Sequence, residues 1–379
     1  GASLVGANLI DCNFSQAVLV GADVSEARAA GANFQRADLR RTLMHFTNLS
    51  YANLSCCNLS GSVLDASQLV NSDLSGANLT GARLMSAWAC GADICRVTAR
   101  GTNFKGAHLN NTDFSGSDLS YADFTDASLS GANLSGADMQ GSRLSGADLT
   151  LANVRDTSFI RTSMLGAKLN WADLKETKLL SCQLARAELF GADLSGSDLS
   201  GSDFTRAYLP RANLCGCKFS GATLDHADYT GANLSRADLS EVVLYKCQMD
   251  DADLSQADLT GCRLKSMTMS GTAFCRASLR AAEIERMTLD DVDLSGADLR
   301  AATLYLVSLQ NVNLSGCDLR GANLTAVALR NVDLRGADLR AVKCDNSALG
   351  FLAKQDLSGA KIDDDLKEDL ARLKSSGCY

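Results

Sequence analysis

A large apolar residue recurs at every fifth position along almost the whole chain. From Leu4 to Leu349 this position holds Leu, Phe, Met, Ile, Val or Tyr. The exceptions are smaller residues: Ala29, Ala89, Ala99 and Cys344. The residue two places before each large one is small, and the bulky departures are Met267 and Met287. A period of five belongs neither to an α-helix nor to a plain β-strand.

This spacing predicts a chain that alternates short extended sides with corners. Side chains two positions apart on an extended backbone point to the same side, so the small and the large residue both face inward. The next two residues turn the chain, and glycine is common at the second of them, where left-handed backbone costs it least. Examples are Gly76, Gly116, Gly136, Gly196, Gly296 and Gly316. Each pentapeptide therefore forms one side and one corner.

A second period, of twenty residues, gives the number of sides. The outward residue before the large one, taken every twenty positions from Asn13 to Asp333, is Asp or Asn except at Ala273. Residues twenty apart stack directly on one another if each coil has four sides. The sequence therefore predicts an all-β, four-sided solenoid of about 17 coils and roughly 84 Å, at ~4.8 Å per coil.

The segments "GANLSGADM", "GADLSGSDLSGSDF" and "GANLSRADLS" resemble the A(D/N)LXX motif of the pentapeptide-repeat family. The resemblance covers residues 1–350 and implies a right-handed quadrilateral β-helix. It is specific for the fold and says little about activity. Some bacterial members of the family look like duplex DNA and bind DNA gyrase, and in eukaryotes such repeats also occur beside BTB domains.

The two ends of the chain depart from the repeat in different ways. Residues 1–350 form the predicted solenoid, and residues 351–379 hold one last unit that is out of phase, followed by a helix in "DDDLKEDLARLK". We expect Asp363 or Asp364 to cap this helix and Leu366, Leu370 and Leu373 to cover the open strands of the last coil. The alternative is a homodimer through this helix or through the uncapped N-terminal coil. Because the first residues are already in register and lack a methionine, we also expect an upstream segment or a partner there.

Composition narrows the class of protein. The formal charge of −8 is mild for 379 residues, and no apolar run approaches the ~20 residues of a membrane span. Seven of the 14 cysteines occupy the small inward slot as fillers, which predicts reduced thiols and a cytoplasmic compartment. They are Cys12, Cys57, Cys182, Cys217, Cys247, Cys262 and Cys317.

Catalytic chemistry has little support in the sequence. The three histidines, His45, His108 and His226, fall on distant coils, so no Ser/His/Asp or Cys/His site can form from them. The cysteines lack the paired spacing of a zinc site, and the many Asp residues are products of the repeat. We therefore expect no enzyme activity, no metal or other cofactor and no small-molecule substrate. The mild charge also makes direct nucleic-acid binding unexpected.

The four faces of the predicted solenoid are not equally regular, and the irregular ones indicate a binding surface. Two faces carry outward aromatic and basic residues that the fold does not require. The candidate contact residues are Trp171, Arg186, Phe190, Arg206, Tyr208, Pro210, Arg211 and Lys246. Aromatic residues and arginine dominate interface centres, so we predict a non-catalytic scaffold that binds a protein partner. The alternative is a DNA-mimicking inhibitor or protector of DNA gyrase or another topoisomerase.

A column of arginines near the C-terminus recurs every twenty residues, at Arg280, Arg300, Arg320 and Arg340. It is either a binding row for a ligand or half of a surface ion-pair lattice. Carboxylates stand two residues before three of the arginines, at Asp298, Asp318 and Asp338. The lattice is the favoured interpretation.

Overall fold

The structure is a computed structural model that describes residues 1–376. Its backbone divides into two compact units, Gly1–Asp193 and Leu194–Tyr379, called here the first and the second unit. Each unit has its own buried apolar core. In the part of the chain that the structure describes, no helix is both long enough and apolar enough to cross a membrane.

In the first unit, parallel β-bridges join residues that lie twenty positions apart. Ser3 pairs with Asp23, and the same register continues as far as the pairing of Asp173 with Asp193. The amide of each inward large residue donates to the next coil, as from Leu4 N to the Asp23 carbonyl oxygen at 2.7 Å. Four bridges fall within every twenty residues, so each coil has four sides. The predicted β-solenoid is confirmed.

The corners of the first unit are tight turns closed by a hydrogen bond. The Ala7 amide donates to the Leu4 carbonyl at 3.0 Å, and equivalent bonds recur at successive corners. The second corner residue has left-handed backbone, with φ of 64° at Gly6 and 59° at Trp171. A side chain in this conformation costs roughly 1–2 kcal/mol relative to its ordinary backbone, which explains why glycine is so common there.

The core of the first unit is a stack of inward leucine and phenylalanine side chains. Phe104 and Phe124 lie on consecutive coils with ring centroids 4.7 Å apart and planes 8° apart. Phe114 meets both rings edge-on, at 5.7 and 5.8 Å. All three are fully buried. Offset-stacked and edge-to-face contacts are the favoured geometries of aromatic pairs, so this column is well packed.

The small inward slot accepts Ser, Thr and Cys because the backbone supplies an acceptor beside it. Thr47 Oγ1 donates to the Val24 carbonyl at 2.9 Å, and Cys57 Sγ donates to the Phe34 carbonyl at 2.7 Å. Every cysteine within residues 1–376 is a free thiol. Burial raises the pKa of Cys57 to about 12, so this thiol stays protonated.

The second unit begins with the same coils and then forms regular strands. They are β1 (Val243–Tyr245), β2 (Arg263–Lys265), β3 (Thr268–Ser270), β4 (Glu283–Glu285), β5 (Thr288–Asp290), β6 (Thr303–Tyr305), β7 (Ser308–Gln310) and β8 (Ala328–Arg330). These make two four-stranded parallel sheets, one in the order β1-β2-β4-β6 and the other in the order β3-β5-β7-β8. Each sheet is one side of the solenoid.

Most of these strands flank a corner at which the small inward slot holds a bulky residue. In the described part of the second unit, the corners before Met267, Met287 and Val307 lack the amide-to-carbonyl hydrogen bond of the regular corner. A large side chain in the slot holds the backbone away from the axis, so the corner opens and the flanking residues pair as strands. The sequence interpretation named Met267 and Met287 as the bulky departures, and valines such as Val307 and Val332 also follow open corners.

The wider coils leave an apolar cavity of about 30 Å³ on the axis of the second unit. It is lined by inward residues of successive coils, including Leu264, Ile284, Leu304 and Leu324, and Leu352 lies at one end. No polar atom contributes surface to this cavity, so a water molecule would find no hydrogen-bond partner there.

The C-terminal segment contains two helices, α1 (Asn346–Leu352) and α2 (Asp364–Ser376). The predicted helix is confirmed as α2, and its Leu366 and Leu370 are buried. In the last unit Lys361 pairs with Asp338, three residues beyond the regular spacing of twenty. Helix α1 was not predicted, and it starts at Asn346, ahead of residue 350.

Two carboxylates join these helices to the last coils of the second unit. Asp345 caps α1 by accepting from Ala348 N at 2.8 Å, and it also accepts from Ala326 N at 2.9 Å. Asp363 accepts from Leu366 N at 3.1 Å at the start of α2 and from Ala341 N at 2.6 Å. Corner amides such as Ala326 N would otherwise donate to a further coil. The carboxylates thus replace the acceptors that a further coil would provide.

Candidate partner-binding surfaces

Three of the predicted contact residues, Trp171, Arg186 and Phe190, lie in the first unit and form what we call the Trp171 patch. Trp171 occupies a corner and is 54% exposed. Its ring meets the Phe190 ring edge-on, with centroids 5.2 Å apart. Arg186 is exposed at another corner, with φ of 59°. The structure therefore brings the two aromatic residues into contact and leaves the indole accessible.

The absence of a side chain at Gly191 makes room for the Trp171 ring. A Cβ atom on Gly191, one coil further on, would lie 2.5 Å from the indole. The Phe190 amide donates to Asn170 Oδ1 at 2.9 Å, which fixes the chain beside the tryptophan. The glycine gives room for the ring to lie against the corner, so the position of Trp171 is set by its neighbours.

The remaining predicted residues lie in the second unit, and Arg206, Tyr208, Arg211 and Lys246 form what we call the Tyr208 patch. Tyr208 is 46% exposed, and the three basic residues are exposed at corners. Pro210 is buried, so its prediction as a surface contact is not retained.

Lys246 has an aromatic neighbour that the sequence interpretation did not assign to it. Its Nζ lies 5.0 Å from the centroid of the Tyr245 ring, and the His226 ring meets the same tyrosine edge-on at 5.5 Å. Cation–π contact of this kind holds the ammonium group close to the surface. The signal was available in the sequence, because His226 and Tyr245 are nineteen residues apart and so fall on neighbouring coils.

The first unit also has an exposed aromatic group outside the predicted residues. Phe46 is 65% exposed and Tyr51 is 68% exposed. Trp88 lines a shallow cleft of about 360 Å³ and lies against His108, with ring centroids 4.2 Å apart. Tyr51 stands at a corner, as Trp171 does, and was not among the predicted contact residues.

The C-terminal arginine column of the second unit is an ion-pair lattice. Arg300 pairs with Asp298 at 2.5 Å and with Asp318, one coil on, at 3.6 Å. Arg320 repeats this with Asp318 at 2.6 Å and with Asp338 at 3.9 Å. Arg340 completes the row beside Asp338, whose pKa its guanidinium lowers to about 2. The arginines of this row are therefore paired with aspartates of the same row, which gives no sign of a ligand site.

The described residues give little support for a catalytic or metal centre. Within residues 1–376 no group of three or more His, Cys, Asp or Glu side chains could hold a metal ion. Burial raises the pKa of Cys247 and Cys317 to about 12, which makes these thiols poor nucleophiles.

Several solved structures are similar to this chain. HetL, a pentapeptide repeat protein involved in heterocyst differentiation regulation from Nostoc sp. strain PCC 7120, is 27% identical; the match covers 67% of this chain and 90% of HetL, with a TM-score of 0.25. Full-length QnrB1, a plasmid-mediated fluoroquinolone resistance protein, is 20% identical over 57% of this chain and 97% of QnrB1, with a TM-score of 0.22. Rfr23 from the cyanobacterium Cyanothece 51142 is 20% identical over 44% of this chain and 91% of Rfr23, with a TM-score of 0.16. No curated protein gives a significant match.

A family model described as pentapeptide repeats matches the chain again and again between residues 2 and 349. The matched ranges are 2–45, 43–81, 100–136, 137–175, 182–221, 217–256, 257–296, 302–340 and 317–349. They cover most of the sequence and agree with the five-residue spacing and the four-sided coils. This chain belongs to the pentapeptide-repeat family.

Proposed function

We propose that this protein is a non-catalytic, cytoplasmic interaction scaffold that binds a protein partner through the irregular faces of its solenoid. The observation that carries the proposal is the 54% exposed Trp171 at a corner where glycine would satisfy the fold. The core is complete without this side chain, and the indole lies edge-on to Phe190 at the surface, where the two rings together offer an apolar contact area to a partner.

The chemistry of both patches supports protein binding. Tryptophan, tyrosine and arginine supply most of the energy at protein interfaces, because they combine large apolar area with a polar group. The exposed groups of the Trp171 patch include an indole and a guanidinium, and those of the Tyr208 patch are a phenol and three cations. A partner with acidic and apolar side chains would suit either patch.

Paired variants in each unit test the proposal. Trp171→Ala with Phe190→Ala removes one patch, and Arg206→Ala with Tyr208→Ala removes the other. Proteins captured from the native lysate by the unaltered chain would be quantified by mass spectrometry, purified and titrated against each variant. We expect loss of at least one hot-spot residue to weaken binding about 30-fold or more, equivalent to ~2 kcal/mol.

The matched control is Phe46→Ala with Tyr51→Ala, which removes two equally exposed aromatic residues elsewhere in the first unit. This control should keep the affinity of the unaltered chain. Equal binding by all three variants would show that neither patch is the contact surface.

The competing function, DNA mimicry toward DNA gyrase or another topoisomerase, is tested by a supercoiling assay. The interleaved arginines at Arg300, Arg320 and Arg340 break up the negative surface that such mimicry needs. We therefore expect purified gyrase to keep its activity at equimolar protein. Inhibition at that ratio would replace the scaffold proposal.

A further inference from the structure

The sheet β1-β2-β4-β6 presents a charged face. Its charges change sign across the centre, and its tyrosines stand at equal distances on either side. The outward residues of its four strands are, in order, Val243 and Tyr245, Arg263 and Lys265, Glu283 and Glu285, Thr303 and Tyr305. Two basic residues are thus followed by two acidic residues, and a tyrosine stands at each end of the row. We call these eight residues the charged face.

The register of the strands fixes where each of these groups lies. Arg263 stacks on Glu283, and Lys265 stacks on Glu285. The Arg263–Glu283 ion pair is 3.1 Å and the Lys265–Glu285 pair is 3.4 Å. The Arg263 and Glu283 side chains remain 55% and 51% exposed, so each can accept a second partner of opposite charge.

A two-fold axis that runs along the strands between β2 and β4 makes this face complementary to itself. Such an axis reverses the order of the coils and keeps the position along each strand. It sets Arg263 against Glu283 of a second copy, and Lys265 against Glu285 of that copy. It also sets Tyr245 against Tyr305, and two coils beyond each end of the face it would bring Asp203 towards Lys343.

Other ways of pairing the same face are disfavoured by its charges. A two-fold axis parallel to the solenoid axis would bring the Arg263 coil of one copy against the Arg263 coil of the other. Like charges directly opposite each other repel, and suppression of wrong pairings is a main role of charge at interfaces. The order of charges therefore selects one antiparallel arrangement.

We propose that the charged face is a homodimer interface, with a second copy of this chain bound in this antiparallel arrangement. Its centre is a checkerboard of four intermolecular ion pairs, and a tyrosine pair closes each end. An isologous contact of this kind needs a surface that is complementary to itself, which this pattern provides. The proposal does not rest on partner binding, since the charged face shares no residue with the Trp171 or Tyr208 patch.

The size of the face predicts a weak dimer. Four strands at ~4.8 Å spacing and three residues of ~3.3 Å cover on the order of 200 Å², well below the ~800 Å² per partner of a standard interface. We therefore expect a dissociation constant of roughly 10–100 µM. This constant should increase as salt is added, because salt screens the ion pairs.

Sedimentation velocity of the full chain is the direct test. The unaltered protein should pass from monomer to dimer as its concentration approaches ~1 mM, since most of a chain with a ~100 µM dissociation constant is then dimeric. Arg263→Glu with Lys265→Glu makes the face wholly acidic, and Glu283→Arg with Glu285→Lys makes it wholly basic. Each double variant should stay monomeric alone, and an equimolar mixture should form a heterodimer.

A four-fold swap that combines both pairs of substitutions is the control for folding. It preserves the Arg263–Glu283 and Lys265–Glu285 ion pairs with their charges exchanged and gives up the exposed 3.5 Å contact of Glu285 with Arg286, so it should fold and dimerise as the unaltered protein does. A monomeric wild type over the whole concentration series would overturn the proposal, as would double variants that dimerise as well as the wild type.

Photo-crosslinking identifies the arrangement. A benzophenone amino acid in place of Tyr245 would be placed in isotopically heavy protein and mixed with light protein. The proposed axis predicts heavy-to-light crosslinks to the peptide that carries Tyr305. Crosslinks to the light peptide around residue 245 would instead mean that the two copies pair about the other axis, and the proposed arrangement would be wrong.

Discussion

At the scale of single residues, Tyr229 is an unusual member of the core of the second unit. It stands at an inward large position and is fully buried. Its hydroxyl has no hydrogen-bond partner among the described residues. Burial raises the pKa of Tyr229 well above its ordinary value, so the group stays protonated and neutral. A buried hydroxyl without a partner costs about 1–3 kcal/mol.

Replacement of Tyr229 by phenylalanine should therefore stabilise the protein. We expect Tyr229→Phe to raise the free energy of unfolding by about 1 kcal/mol or more, because the ring is kept and the unpaired hydroxyl is removed. Chemical denaturation followed by circular dichroism measures the change. Tyr51→Phe, at a 68% exposed position, should leave stability unchanged. A less stable Tyr229→Phe protein would mean that the hydroxyl has a partner, such as a buried water.

Gly191 offers a second test, because both its left-handed backbone and the nearby Trp171 ring favour glycine there. Its φ of 64° disfavours any side chain, and a Cβ would lie 2.5 Å from the Trp171 ring. Gly191→Ala should therefore destabilise the first unit by about 2–4 kcal/mol, adding overpacking to the backbone cost. It should also alter the fluorescence of Trp171, measured with Trp88 replaced by phenylalanine.

Gly166 is the matched control for this substitution. It has φ of 62°, and a Cβ there would meet nothing within 4 Å. Gly166→Ala should cost only the backbone term, about 1 kcal/mol, and should leave the fluorescence of Trp171 unchanged. Equal losses for the two variants would show that the indole moves aside freely.

At the scale of elements, the attachment of α2 depends on the ionised state of Asp363. Backbone amides of Ala341 and Leu366 hold the pKa of Asp363 below its ordinary value of 3.8. A carboxyl whose pKa is lowered by folding contributes stability above its unfolded pKa. That stability is lost as the pH falls through the folded value.

We expect α2 to detach as the pH falls below about 4, ahead of the coils that it covers. The protection factors of amide hydrogens in peptides spanning Leu366 and Leu370, which correct for the intrinsic pH dependence of exchange, should fall in this range. Asp363→Ala should produce the same faster exchange at neutral pH, with a cost of about 1 kcal/mol for the lost cap. Asp364→Ala removes only an exposed pair with Lys367 and should change little. Protection factors in α2 that stay constant as the pH falls below about 4 would contradict this account.

At the scale of the whole molecule, the two units should differ in local stability. Regular corners of the first unit carry a hydrogen bond that the open corners at Met267, Met287 and Val307 lack. The apolar cavity also lies among these coils, and its lining loses dispersion contacts. Solenoid stability is approximately a sum of repeat and neighbour terms, so these coils should open first.

Hydrogen exchange measured over the whole chain tests this difference. Peptides covering residues 262–312 should exchange at least about tenfold faster than peptides from residues 102–152, which corresponds to ~1.4 kcal/mol of local opening energy. The opposite order would show that the three-residue strands stabilise their coils by more than the open corners cost.

Much of this architecture could be predicted from the sequence, because every coil needs the same inward apolar residues on its sides and the same turns at its corners. The five-residue spacing predicted sides and corners, and the Asp/Asn column predicted four sides. Helix α1 was missed because its sequence, "NSALGFL", still places Leu349 in the repeat register, so the apolar pattern alone could not separate it from another coil.

Surface chemistry was predicted less well than the core. Pro210 was expected on the surface and is buried, since the repeat fixes the direction of inward residues and leaves corner residues to their neighbours. The symmetric order of Arg263, Lys265, Glu283 and Glu285 was present in the sequence. It became meaningful only when the strand register showed that these residues share one face of a single sheet.

The constant step of twenty residues has a consequence for insertions and deletions. Within the second unit, an insertion of one pentapeptide would leave every inward leucine in place, and the hydrogen bonds between coils would reform. All residues after it, however, would move by a quarter turn onto the next side. An insertion of twenty residues would instead restore every column. Changes of five residues can thus combine existing surface chemistry in new ways while the core stays intact, and we expect evolution to have used this route to vary what such a chain recognises.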